Sequence, residues 1–121
     1  MRQPDVRKYL FDIQKACGLI GQFVAGKSLA DYLQDIQLRS AVERQFEIVG
    51  EAVSQMLRTA PEMGSRFTSA PQIISFRNYL IHGYASVSND VVWGIVEEDL
   101  PILARQVTDL LSEEEGDGDA E

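Results

Sequence analysis

Apolar residues recur at spacings of three and four along most of this chain, and no stretch alternates apolar with polar over the length of a strand. The first stripe runs through Val6, Leu10, Ile13, Cys17, Ile20 and Val24; the second runs from Ile36 through Val42, Phe46, Val49 and Val53 to Leu57. A third runs from Val91 through Ile95, Leu100, Leu103 and Val107 to Leu111. A period near 3.6 gives each segment one apolar face, and such faces are satisfied by packing helix on helix. The chain is thereby restricted to an all-α fold.

Punctuation divides the stripes. Pro4 suits the first turn of a helix and Gly26 its end. A short segment around Ser28 to Leu33 precedes a long second helix that ends near Pro61. Pro61, Gly64 and Pro71 mark residues 61–71 as a connecting loop. A third helix is expected from about Gln72 to His82, with Gly83 placed to close it in a left-handed conformation and Ser86 to Asp90 offering caps for the next start. Gly94 and Pro101 predict a kink near residues 97–101 of the fourth helix. The expected architecture is an up-and-down bundle of four main helices.

With 121 residues and 45% hydrophobic content, the chain supports one core without metal or disulfide help. Its net charge of -8 is unevenly spread: six of the nineteen acids lie in residues 113–121, whereas 1–112 carry thirteen acids against eleven Lys and Arg. The expected domain is therefore 1–112, nearly balanced in charge, followed by a disordered acidic tail at 113–121. That tail either solvates the end or acts as an acidic arm competing for a basic surface. The lone Cys17 cannot form an internal disulfide and is expected to be buried. The residues after Met1 lack an apolar signal core, and no apolar run approaches the roughly 20 residues that span a bilayer. A cytoplasmic protein with no membrane partner is expected.

Gly21-Gln22-Phe23-Val24-Ala25-Gly26-Lys27-Ser28 matches the phosphate-loop pattern G-x-x-x-x-G-K-[ST], with Glu97-Glu98-Asp99 available as an acidic partner. The pattern binds phosphate only where a strand feeds the loop and the lysine opens a helix. Here a long amphipathic helix feeds it, and Phe23 and Val24 continue the apolar stripe. A nucleotide triphosphatase is rejected.

The stretch Arg77-Asn78-Tyr79-Leu80-Ile81-His82-Gly83-Tyr84 gathers an arginine, the only histidine and two tyrosines near one helix end. A guanidinium clamps phosphate, and imidazole moves protons near neutral pH. Five residues on one helix turn Arg77 and His82 about 140° apart and separate them by about 7.5 Å along the axis. They share no face in a single copy, whereas a twofold dimer could set the arginine of one chain beside the histidine of the other. Two arginines could then hold an RNA phosphate while a histidine deprotonates the 2'-OH, without metal. The plainer alternative has His82 at the favourable C-terminal end of a helix dipole, Arg77 paired with a glutamate of a neighbouring helix, and Tyr79 and Tyr84 as core-edge aromatics with wet hydroxyls. No Cys, His and carboxylate set has metal-ligand spacing, so no metal or other cofactor is expected.

The same stretch resembles the R-x4-H-x-Y signature of HEPN-domain toxins, the HepT-like ribonucleases paired with minimal nucleotidyltransferase antitoxins. Glu43 to Ala52, which includes Gly50-Glu51-Ala52, looks like that family's long second helix, and Asp90-Val91-Val92-Trp93-Gly94-Ile95-Val96 like the start of its last. The resemblance implies an all-α homodimer with Arg77 and His82 as the ribonuclease pair, Asn78 in support, and Tyr84 as the tyrosine that the antitoxin AMPylates. It further implies a type VII-like toxin-antitoxin pair acting on transfer or messenger RNA, with no DNA target. A non-catalytic helical module partnering a nucleotidyltransferase is the other function that this resemblance accommodates. The acidic tail matches no feature of the family.

Overall fold

A computed structural model describes residues 4–83 and 85–119, with side chains over 5–83 and 85–113. Its regular structure is entirely helical: α1 (Pro4–Val24), α2 (Leu29–Gln34), α3 (Ile36–Thr59), α4 (Met63–Arg66), α5 (Ala70–His82), α6 (Asn89–Glu98) and α7 (Leu100–Asp119). α1 packs most extensively on α3 and also on α7, while α5 lies against α3. α6 bears on α7 and α2. The result is an all-α bundle, with α1 and α3 at its centre and α5 at its edge.

The stripes become the core. Val6, Leu10, Ile13 and Ile20 of α1 meet Val42, Val49, Val53 and Met56 of α3, all essentially without solvent exposure, and Val107 of α7 completes the layer. Each such side chain contributes roughly 1.5–3 kcal/mol through burial. Cys17 is buried in the same layer, where burial pushes its thiol up to about 12. Tyr32 of α2 and Trp93 of α6 are also buried, with ring centroids 5.2 Å apart.

Caps set the helix boundaries. Gly26 takes the left-handed conformation, φ 74°, that turns the chain out of α1. Ser28 then caps α2: its Oγ accepts from the Asp31 N–H at 3.2 Å, and its own N–H donates to Asp31 Oδ2 at 2.9 Å. Such a capping box is worth about 1 kcal/mol. These contacts also dispose of the phosphate-loop pattern, because Gly21 to Val24 form the last turn of α1 and the Ser28 hydroxyl is engaged in the cap. Asp35 caps α3 by accepting from the Leu38 N–H at 3.0 Å.

Four local features differ from the sequence reading. Residues 61–71 are not all loop, because α4 forms there and drives Met63 and Phe67 into the core, one turn apart. The kinked last helix is two helices: Pro101 falls in the first turn of α7, and Asp99 remains in the right-handed helical region, so the axis breaks without a reversal. Gly83 has φ -101°, so it is not left-handed; glycine is needed there because a Cβ would stand 2.8 Å from the Tyr79 carbonyl oxygen. α7 also runs on to Asp119, past the expected start of the tail; Glu113 to Glu115 are good helix formers. Glu113 makes an ion pair with Arg66. Among the described residues, no helix is long and apolar enough to cross a membrane.

Candidate functional site

The site is built on α5, which starts with Pro71 in its first turn and ends where the Gly83 N–H donates to the Tyr79 carbonyl at 2.9 Å. Leu80 is buried, and Ile73, Phe76 and Tyr79 are half-buried against the bundle. Phe76 meets the edge of Phe46 of α3, centroids 5.2 Å apart, and stacks on Tyr79 at 6.2 Å. This register turns Arg77 toward α3.

Gly50 of α3 makes the close crossing possible. A Cβ at that position would lie 2.3 Å from the Cβ and 2.5 Å from the Cγ of Arg77, distances that no pair of side chains tolerates. With glycine there, the root of Arg77 lies across α3 and its guanidinium reaches two neighbours. Arg77 Nε donates to Asn78 Oδ1 at 2.9 Å, and Arg77 Nη1 donates to Glu51 Oε2 at 2.5 Å. The other Glu51 oxygen, Oε1, accepts from Gln55 Nε2 at 2.9 Å. Among the described residues, Arg77 Nη2 has no partner.

Electrostatics here fix direction more than stability. The hydrogen bond from Gln55, followed by the charge of Arg77, holds the Glu51 carboxyl below the usual carboxylate range. Glu51 is 53% exposed and Arg77 17%. Ion pairs with a solvated member contribute about 0.2–1 kcal/mol, too little for the pair to matter greatly to folding.

His82 is the last residue of α5, exposed and without a side-chain partner among the described residues. No hydrogen bond or ion pair joins it to Arg77 among those residues. Tyr84 lies outside the described residues. Residues 86 and 88 are anchored to α5: the Tyr79 hydroxyl accepts from the Ser88 N–H at 2.7 Å and donates to the Ser86 carbonyl at 3.5 Å. The Tyr79 hydroxyl is thus a strap across the turn, where the plainer alternative had a hydroxyl in contact with water.

The structure therefore brings Arg77 and Asn78 together with Gly50, Glu51 and Gln55, and places His82 at the end of α5. The pairing of Arg77 with a glutamate of a neighbouring helix, which belonged to the plainer alternative, is present as the contact with Glu51. In the sequence, Gly50 and Glu51 stood out only as part of a family-like segment, because nothing local tells which turn of α3 faces Arg77. Among the described residues, no three His, Cys, Asp or Glu side chains come close enough to hold a metal ion.

Beside the site lies an apolar groove of about 300 Å³ between α3, α5 and the α6–α7 break, lined by Phe46, Val49, Ile73, Phe76, Ile95 and Leu103. Ile102 also lines it and is 63% exposed.

Comparison with known proteins gives a consistent set of relatives. A family model described as "Ribonuclease HepT-like" matches residues 13–110. A protein of Caldanaerobacter subterraneus named as a candidate RNase is 32% identical over 108 residues, 89% of this chain and 96% of the relative. A protein of Thermococcus cleftensis named "Probable ribonuclease HepT" is 36% identical over 101 residues, 80% of this chain and 87% of the relative. A candidate RNase of Methanocaldococcus jannaschii is 29% identical over 109 residues, 88% of this chain and 97% of the relative. No solved structure matches the chain.

Proposed function

The chain belongs to the HepT-like ribonuclease family, and from that premise we propose that it is a metal-independent endoribonuclease toxin with Arg77 and His82 as its catalytic pair. The observation that carries the reading is the guanidinium of Arg77, held at two atoms and without a partner at Nη2 among the described residues, on the helix that ends in the exposed imidazole of His82. Arg77 binds the scissile phosphate and neutralises the charge that grows on it in the transition state. His82 takes the proton from the ribose 2'-OH; that oxygen attacks the adjacent phosphorus as the bond to the 5'-oxygen breaks. The departing 5'-oxygen is protonated by an imidazolium or by water, which leaves a 2',3'-cyclic phosphate and a 5'-hydroxyl. Asn78 supports the step through its contact with Arg77 Nε.

Because Arg77 turns toward α3 while His82 stands at the helix end, the working site is composite: Arg77 of one chain serves with His82 of the partner subunit in a homodimer. The apolar groove beside α5, with Ile102 exposed at it, is a suitable face for the second copy. Tyr84 is the switch. Its AMPylation by a minimal nucleotidyltransferase antitoxin would place a negatively charged nucleotide beside the cleft and repel RNA. The protein is then the toxin of a type VII-like pair, acting in the cytoplasm on transfer or messenger RNA, with residues 113–121 as an acidic appendage to the domain of 1–112.

Brief induced expression followed by mapping of RNA ends tests the reading. Wild type is expected to halt growth and to generate 5'-hydroxyl and cyclic-phosphate ends, whereas Arg77→Ala and His82→Ala do neither. Equal harmlessness of all three, with no cleavage by the purified wild type, overturns it and leaves the non-catalytic partner of a nucleotidyltransferase.

A further inference from the structure

We propose that Glu51 is a positioning residue for Arg77: it fixes the rotation of the guanidinium so that the Nη2 side stays open to a phosphate. The inference rests on the reading of Arg77 as the phosphate-binding group, and it assigns a role to a side chain on a different helix.

The geometry supports positioning over competition. A guanidinium offers five N–H donors in one plane, and among the described residues two of them are taken, Nε by Asn78 and one on Nη1 by Glu51. The two contacts engage different nitrogens of the guanidinium, so together they restrict rotation about the last side-chain bonds. The Cβ and Cγ of Arg77 are seated on α3 at Gly50, which fixes the base of the same side chain. The two donors on Nη2 and the second on Nη1 then form a fork matching two phosphate oxygens.

A carboxylate meant to block that fork would bind it bidentately. Glu51 does not, because its Oε1 accepts from Gln55 and only Oε2 meets the arginine. Gln55 thus holds Glu51 in the one-oxygen arrangement, and Gln55, Glu51, Arg77 and Asn78 form a continuous hydrogen-bonded line. Since half of Glu51 is exposed, removing it should leave the fold intact.

The test compares wild type with Glu51→Ala and Glu51→Gln, the latter keeping an acceptor oxygen without the charge. Two quantities are measured: kcat and KM for RNA cleavage, and the NMR signals of the Arg77 Nε–H and Nη–H groups in the free protein. Glu51→Ala is expected to lower kcat by about tenfold or more with little change in KM, because a mobile guanidinium is misplaced in the transition state. It should also merge the separate Nη–H signals through faster rotation. Glu51→Gln should retain resolved signals and most of the activity. A Glu51→Ala enzyme that cleaves as well as wild type, or gains RNA affinity through a lower KM, overturns the proposal in favour of no role or of competition. Should wild type itself fail to cleave RNA, the ribonuclease reading falls, while the NMR comparison still decides whether Glu51 holds Arg77.

Discussion

A lysine at position 77 would keep the charge of Arg77 but lose its shape. An ammonium is a single point of donors, and it cannot reach Asn78, Glu51 and a phosphate from three sides of one plane. Arg77→Lys is therefore expected to reduce cleavage by about a hundredfold, the scale set by losing one preorganised donor to a transition-state oxyanion, while the melting temperature stays close to wild type. Steady-state cleavage of a defined RNA checks the first part and thermal unfolding the second. At this scale the sequence was informative about position: Arg77, Asn78 and His82 do lie on one helix, with His82 at its end. It marked Gly50 and Glu51 only as part of a family-like segment and was silent about their place beside Arg77, because that depends on how α3 crosses α5, which neither stripe encodes by itself.

Helix α5 and the turn after it form one mechanical unit, since the Tyr79 hydroxyl ties residues 86 and 88 back to the helix. Tyr79→Phe removes that strap and leaves the half-buried Ser88 N–H without its partner. A loss of about 1 kcal/mol is expected. Thermal unfolding should report it as a drop of a few degrees, with faster amide exchange confined to residues 85–88. Elements with strong signals were legible: α1 and α3 coincide closely with their stripes, and the short α2 with its capping serine. α4 was hidden because four residues cannot show a period, and two nearby prolines and a glycine argue for a loop. The closing glycine of α5 was placed correctly and explained wrongly: its need comes from the Tyr79 carbonyl and not from a left-handed backbone.

In the molecule as a whole, scaffold and site are separated. α1, α3 and α7 carry much of the buried mass, whereas α5 rests on α3 and borders an open apolar groove. If the working cleft is shared between two copies, inactive chains should complement each other. Co-expressed Arg77→Ala and His82→Ala proteins would form mixed dimers in which one cleft is wholly mutant and the other wholly intact, so random pairing should restore about a quarter of wild-type cleavage. Assay of the purified mixture beside each parent decides it, and no recovery would place Arg77 and His82 of the same chain in one cleft. The separation of scaffold from site has an optical consequence. Trp93, the only tryptophan, is shut into the packing between α6 and α2 with Tyr32 against it, close enough to receive that ring's excitation. Its emission therefore monitors the scaffold at a place other than α5, giving each site variant an internal fluorescent gauge of whether the bundle beneath it is intact.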